Sequence, residues 1–128
     1  MEFNNVEPRI IGKKIVRVKG LEKESDEVKI LFDDGSILRM FHEQYCCERV
    51  RIEDIDNDDS VLIGAEVYRF VEAHEDVGEL YGDSATWTFY KIATSLGHLV
   101  IRWIGESNGY YSERVDIEYI DPTEVFNQ

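Results

Sequence analysis

Two stretches of the chain are nearly the same. Residues 48–56 read Glu-Arg-Val-Arg-Ile-Glu-Asp-Ile-Asp and residues 113–121 read Glu-Arg-Val-Asp-Ile-Glu-Tyr-Ile-Asp, identical at seven of nine positions. Two further correspondences fall in the same order. Ile11-Gly12 and Ile15 match Ile63-Gly64 and Val67. Ile37-Leu38-Arg39-Met40-Phe41 matches Val100-Ile101-Arg102-Trp103-Ile104, with Glu43 and Glu106 following. Three ordered matches point to duplication rather than coincidence. The offset grows from 52 to 65, so the second copy carries loop insertions. The copies run over about 11–56 and 63–121, joined by Asn57–Leu62. With 128 residues the chain reads as a single domain, 1–128, made of two internal repeats.

Each copy reads as four strands. In the first, Lys14–Lys19 alternates, Val28, Ile30 and Phe32 alternate with Lys29 and Leu31, and Ser36–Phe41 follows an Asp34-Gly35 hairpin signal. Val50–Ile55 is the fourth. In the second, Glu66–Glu75 is followed by Ala85–Thr94, rich in the Trp, Thr, Phe and Tyr that suit a pleated surface. Leu99–Ile104 is almost continuously apolar, and Val115, Ile117 and Tyr119 alternate with Asp116 and Glu118 before Pro122. Helix signals are sparse, with short turns expected near Glu43–Cys47 and Thr123–Phe126. The expected fold is mainly β: two tandem antiparallel four-stranded repeats packed with pseudo-twofold symmetry. Exposed edges and aromatic surface suggest a homo-oligomer.

Charge narrows the partners. The chain has 14 basic and 27 acidic residues, a net charge of −13, which disfavours direct binding to nucleic acid or an anionic membrane. The acids are spread over both halves, 15 in residues 1–60 and 12 in 61–128. No apolar run reaches membrane-spanning length, and the N-terminal residues carry no apolar core of a secretory signal. Cys46 and Cys47 are adjacent, an unfavourable spacing for a relaxed disulfide, and read as reduced, buried thiols of a cytoplasmic protein.

Arg102 interrupts an apolar strand beside Trp103, and Arg39 holds the matching place in the first copy. A guanidinium there pairs with a nearby acid such as Glu43 or Glu106, faces solvent, or meets an anionic ligand. The loop Gly105–Ser112 offers Asn108, Tyr110 and Tyr111, either for stacking and hydrogen bonding to a ligand or as an ordinary turn with tyrosine lids. His42, Cys46 and Cys47 lack the spacing of a zinc site and the oxyanion signature of a nucleophilic enzyme. The acids Asp54, Asp56, Asp58 and Asp59 read as a solvated linker without the pattern of a calcium loop. No cofactor or metal is expected, and no nucleotide-binding or hydrolase motif is present.

The segments Phe41-His-Glu-Gln-Tyr-Cys-Cys-Glu48, Ile52-Glu-Asp54, Trp87-Thr-Phe-Tyr-Lys91 and Ile101–Ser112 give the chain its resemblance to a family of small proteins encoded mainly by phages and prophages of Gram-positive bacteria. It is also similar to the type-one Thoeris anti-defence sponge proteins. That resemblance implies an oligomeric, non-enzymatic protein that sequesters a cyclic ADP-ribose-type signal, and the expected function is capture of a cyclic ADP-ribose or cyclic oligonucleotide signal in the host cytoplasm. The resemblance assigns no ligand residues; from their chemistry and placement alone, the residues expected to meet such a ligand are Arg39, Arg102, Trp103, Asn108, Tyr110 and Tyr111. The alternative is an acidic protein that inhibits a host nucleic-acid-binding defence enzyme by direct contact.

Overall fold

The computed structural model describes residues 3–80 and 83–123. A short helix, α1 (Phe3–Ile10), precedes eight strands. These are β1 (Ile15–Lys19), β2 (Glu27–Phe32), β3 (Ile37–Phe41), β4 (Arg49–Ile55), β5 (Val67–Leu80), β6 (Asp83–Thr94), β7 (Gly97–Ser107) and β8 (Asp116–Ile120). A single 3-10 turn, Asp59–Val61, sits in the link between copies. All strand pairings are antiparallel, in two four-stranded sheets.

The sheets do not coincide with the repeats. One sheet has the order β1-β2-β3-β8 and the other β4-β7-β6-β5. Each copy therefore builds three strands of its own sheet and donates its fourth to the other. Met40 lies opposite Ile117 across β3 and β8, and Trp103 lies opposite Ile52 across β7 and β4. These are matching positions of the two copies. The two four-stranded antiparallel sheets match the expectation, and the further finding is that the repeats exchange their last strands. The cause lies in the connections, because the irregular segments 42–48 and 108–115 carry each chain across before its last strand begins.

The twofold relation is visible in single hydrogen bonds. The Gly12 amide donates to the Val67 carbonyl and the Gly64 amide to the Ile15 carbonyl, both at 2.7 Å. The Ile15 amide donates to Ala65 and the Val67 amide to Lys13, both at 2.9 Å. Lys14 and Glu66 form the bridge between these symmetric bonds. Gly12 and Gly64 have φ of 86° and 84°, a left-handed backbone that glycine adopts without a Cβ penalty.

The inner faces of both sheets feed one core. Val28, Ile30, Phe32, Leu38 and Met40 come from the first sheet, and Ile52, Phe70, Tyr90, Ile92, Leu99, Ile101 and Trp103 from the second. Alternation explains the strands, since β2 buries Val28, Ile30 and Phe32 and turns Lys29 outward. Helix α1 was not foreseen. It contains Pro8 and is short, so propensity alone gives it little support. It persists because Val6 and Ile10 are buried and because Glu7 accepts the Phe70 amide at 3.1 Å. The segment near Glu43–Cys47 is irregular rather than helical, and beyond Thr123 the turn expected at Thr123–Phe126 lies outside the described residues.

Candidate functional site

Where β4 begins and β7 ends, the irregular segments of both copies converge. Arg49 lies opposite Glu106 across the two strands. Around them is a cleft of about 300 Å³ lined by Cys47, Glu48, Arg49, Glu106, Ser107, Asn108 and Tyr111. One wall comes from each copy, so the cleft exists only because the last strands are exchanged.

A buried carboxylate roots each wall, at matching positions of the repeat. Glu48 accepts from His42 Nε2 at 2.8 Å, from the amides of Cys46 at 2.8 Å and Tyr45 at 3.1 Å, and from Gln44 Nε2 at 3.2 Å. Burial pushes its pKa up. The His42 hydrogen bond and those from the backbone outweigh burial and hold the carboxyl at about 2. His42 is itself buried, and its Nδ1 meets the Arg114 carbonyl at 2.9 Å. Glu113 roots the other wall, accepting from Ser107 Oγ at 2.5 Å, Thr86 Oγ1 at 2.8 Å and Ser84 Oγ at 3.2 Å. Ser107 Oγ also accepts the Gly109 amide, and Asn108 Oδ1 accepts the Tyr110 amide at 3.1 Å, which folds the loop into a tight turn.

The residues singled out in sequence separate into three places. Asn108 and Tyr111 line the cleft, and Tyr110 projects beside it, 88% exposed. Trp103 is fully buried in the core, so its ring packs between the sheets and is withdrawn from any surface ligand. Its Nε1 has no hydrogen-bond partner among the described residues. Arg39 and Arg102 lie on the outer faces of different sheets, away from the residues that line the cleft. Arg39 Nε donates to Glu27 at 2.6 Å and its guanidinium lies 3.6 Å from the Phe41 ring centroid. Arg102 pairs with Asp54 and lies 5.1 Å from the Trp87 ring centroid. Their partners are thus cross-strand acids rather than Glu43 or Glu106.

The cysteines also differ from expectation. Cys46 and Cys47 are joined in a disulfide between neighbours and both are exposed, not buried as thiols. The loop crosses between sheets here and never enters the core, so the cysteines have nothing apolar to fill. Among the described residues no cluster of three or more His, Cys, Asp or Glu is placed to hold a metal. No helix there is long and apolar enough to cross a membrane.

Sequence reasoning missed Arg49, which brings the cleft its positive charge. Arg49 Nη2 reaches Glu24 at 2.7 Å, while the neighbouring Arg51 Nη2 takes Glu106 at 2.8 Å. The signal was present: Glu-Arg-Val occurs in both copies at the entry to the exchanged strand. The acidic linker also has structure. Asp56 accepts the Val100 amide at 2.6 Å, and Asp58 caps the 3-10 turn by accepting the Ser60 amide at 2.9 Å.

Fold and site together define an internally duplicated, strand-exchanged, two-sheet β protein with a polar cleft at the junction of its repeats. The chain belongs to the DUF7448 family, described as a domain of unknown function, whose profile matches residues 8–117. No curated protein and no solved structure matches it.

Proposed function

We propose that this is a non-enzymatic binding protein that captures a small nucleotide-derived molecule in the cleft between its repeats. The observation that carries the reading is the cleft's composition. It sets an aromatic ring (Tyr111), an amide (Asn108) and a guanidinium (Arg49) around one recess built by both copies. Those groups supply stacking, a polar base edge and a phosphate contact. The ionisable groups beside them are already engaged. Glu48 is saturated with donors and His42 has a partner on each ring nitrogen, which favours capture over proton transfer.

The biological setting we propose is phage-encoded anti-defence in the host cytoplasm, with a cyclic ADP-ribose or cyclic oligonucleotide signal as the molecule removed. Its support is the resemblance carried by Phe41–Glu48 and Ile101–Ser112, segments that supply both walls of the cleft. Calorimetry against cyclic ADP-ribose isomers and cyclic di- and trinucleotides tests it. Tyr111→Ala and Arg49→Ala should each weaken binding by about tenfold, from the usual strength of one stacked ring or one charged hydrogen bond. Denaturing release should return the ligand intact. Silence across the panel overturns the reading, and recovery of a cleaved product makes the protein an enzyme instead.

A further inference from the structure

The outer faces of the two sheets carry the same basic groove. A bulge between Ile15 and Arg17 sets Arg17 opposite Leu31 and Lys19 opposite Lys29. A bulge between Val67 and Arg69 sets Arg69 opposite Ala93 and Val71 opposite Lys91. The bulges fall at the same place in both copies, with the same 52-residue offset as Gly12 and Gly64. A bulge re-aims the side chain that follows it, and here that residue is arginine both times. The first groove, about 210 Å³, is lined by Arg17, Lys19, Lys29, Leu31 and Ile37. The second, about 340 Å³, is lined by Arg69, Val71, Lys91 and Ala93. Each has an arginine on the edge strand, a lysine on the next strand and an apolar floor.

Among the described residues these cations, apart from Lys29, have no carboxylate partner, in a chain that has 27 acids. Arg17, Lys19, Arg69 and Lys91 form no ion pair with any described residue, and Lys29 approaches Glu27 only at 3.8 Å. Lys19 and Lys29 are direct cross-strand neighbours, an arrangement that destabilises a sheet unless an anion lies between them. By contrast, Arg39 and Arg102 on the same faces are each paired.

We infer that each groove binds one phosphate-bearing small molecule, separately from the cleft. The arginine fork takes two phosphate oxygens, the lysine supplies a second charge, and the organic body lies over Leu31 and Ile37 or over Val71 and Ala93. The net charge of −13 selects for size. A polyanion extends past the groove into the repelling field of the acids, whereas a small dianion stays within about one Debye length (roughly 8 Å at physiological salt) of its cations.

Backbone-amide NMR and calorimetry at low salt, with adenosine 5′-monophosphate, inorganic phosphate and a short single-stranded DNA as separate probes, test this. The monophosphate should saturate at two per chain, with shifts at residues 15–19 and 29–31 and at residues 69–71 and 91–93. The double variant Arg17→Gln/Lys29→Gln should keep only the second site, and Arg69→Gln/Lys91→Gln only the first. Each lost site should weaken about tenfold or more, as expected for a charged hydrogen bond. Tyr111→Ala should leave both sites intact, which separates this outcome from failure of the cleft reading. Phosphate alone reaching both grooves supports the anion site. Three results overturn the inference: no saturable binding of either small anion, binding untouched by the groove variants, or tighter binding of DNA than of the monophosphate.

Discussion

Glu48 and Glu113 occupy the same position of the repeat and are both buried, yet their donors differ. Glu48 draws on its own loop through His42, Tyr45 and Cys46. Glu113 draws on hydroxyls of β6 and β7. Duplication kept the acid and let the donors diverge. Glu48 holds its proton less tightly folded than unfolded, so its stabilisation is complete above about 4.5 and fades as pH falls toward about 2. Asp34 titrates in an overlapping window, between about 3.8 and about 2. Burial raises its pKa, but Lys13 and Ser36 more than offset this and hold it at about 2. Thermal melts at stepped pH should therefore show Glu48→Gln to be less acid-sensitive than the parent between those limits, though not insensitive. An unchanged slope would mean that the loop network contributes nothing to folding. The equivalence of Glu48 and Glu113 could be read from Glu-Arg-Val alone. Their burial could not, because it follows from which strands the loops cross.

Near the end of β7 one position has no room for a side chain. A Cβ on Gly105 would run into the backbone carbonyl of Glu113, and backbone cannot swing aside as a flexible side chain can. Gly105→Ala should destabilise the fold by roughly 2 kcal/mol, within the usual range for overpacking. Urea unfolding measures it, and a variant as stable as the parent would show that the chains can separate here without cost. The strands were largely legible because Val28, Ile30 and Phe32, or Leu38 and Met40, alternate with outward residues. Strand β5 runs five residues past the expected end at Glu75, to Leu80. Gly78 and the acids there gave no strand signal, and pairing with β6 decides it. Helix α1 was illegible for a similar reason: its anchors, Val6 and Ile10, fit a core that local propensity does not reveal.

The molecule as a whole holds together through its exchanged strands. Fragments 1–60 and 61–128 should each fail to fold as a stable monomer, since β3 and β7 would each lack a neighbour. Mixed, they should recover the native circular dichroism spectrum as a one-to-one complex. A fragment that melts cooperatively as a monomer would refute the exchange. Sequence pattern foresaw a β-rich duplicated chain, and the loop Gly105–Ser112 places Asn108 and Tyr111 in the cleft wall. It could not foresee that Arg39 and Arg102 would sit on different sheets, or that Trp103 would face inward. Those facts depend on topology, and topology here is a swap that the spacing of two similar copies does not encode.

The same swap has a temporal side. During synthesis on the ribosome, β1, β2 and β3 emerge more than seventy residues ahead of β8. Until Asp116–Ile120 leaves the exit tunnel, β3 offers a bare row of amides and carbonyls to any neighbouring nascent chain, the kind of exposure from which aggregates start. The acids that crowd this polypeptide then gain a second purpose: like charges on adjacent nascent chains hold them apart until the last strand arrives.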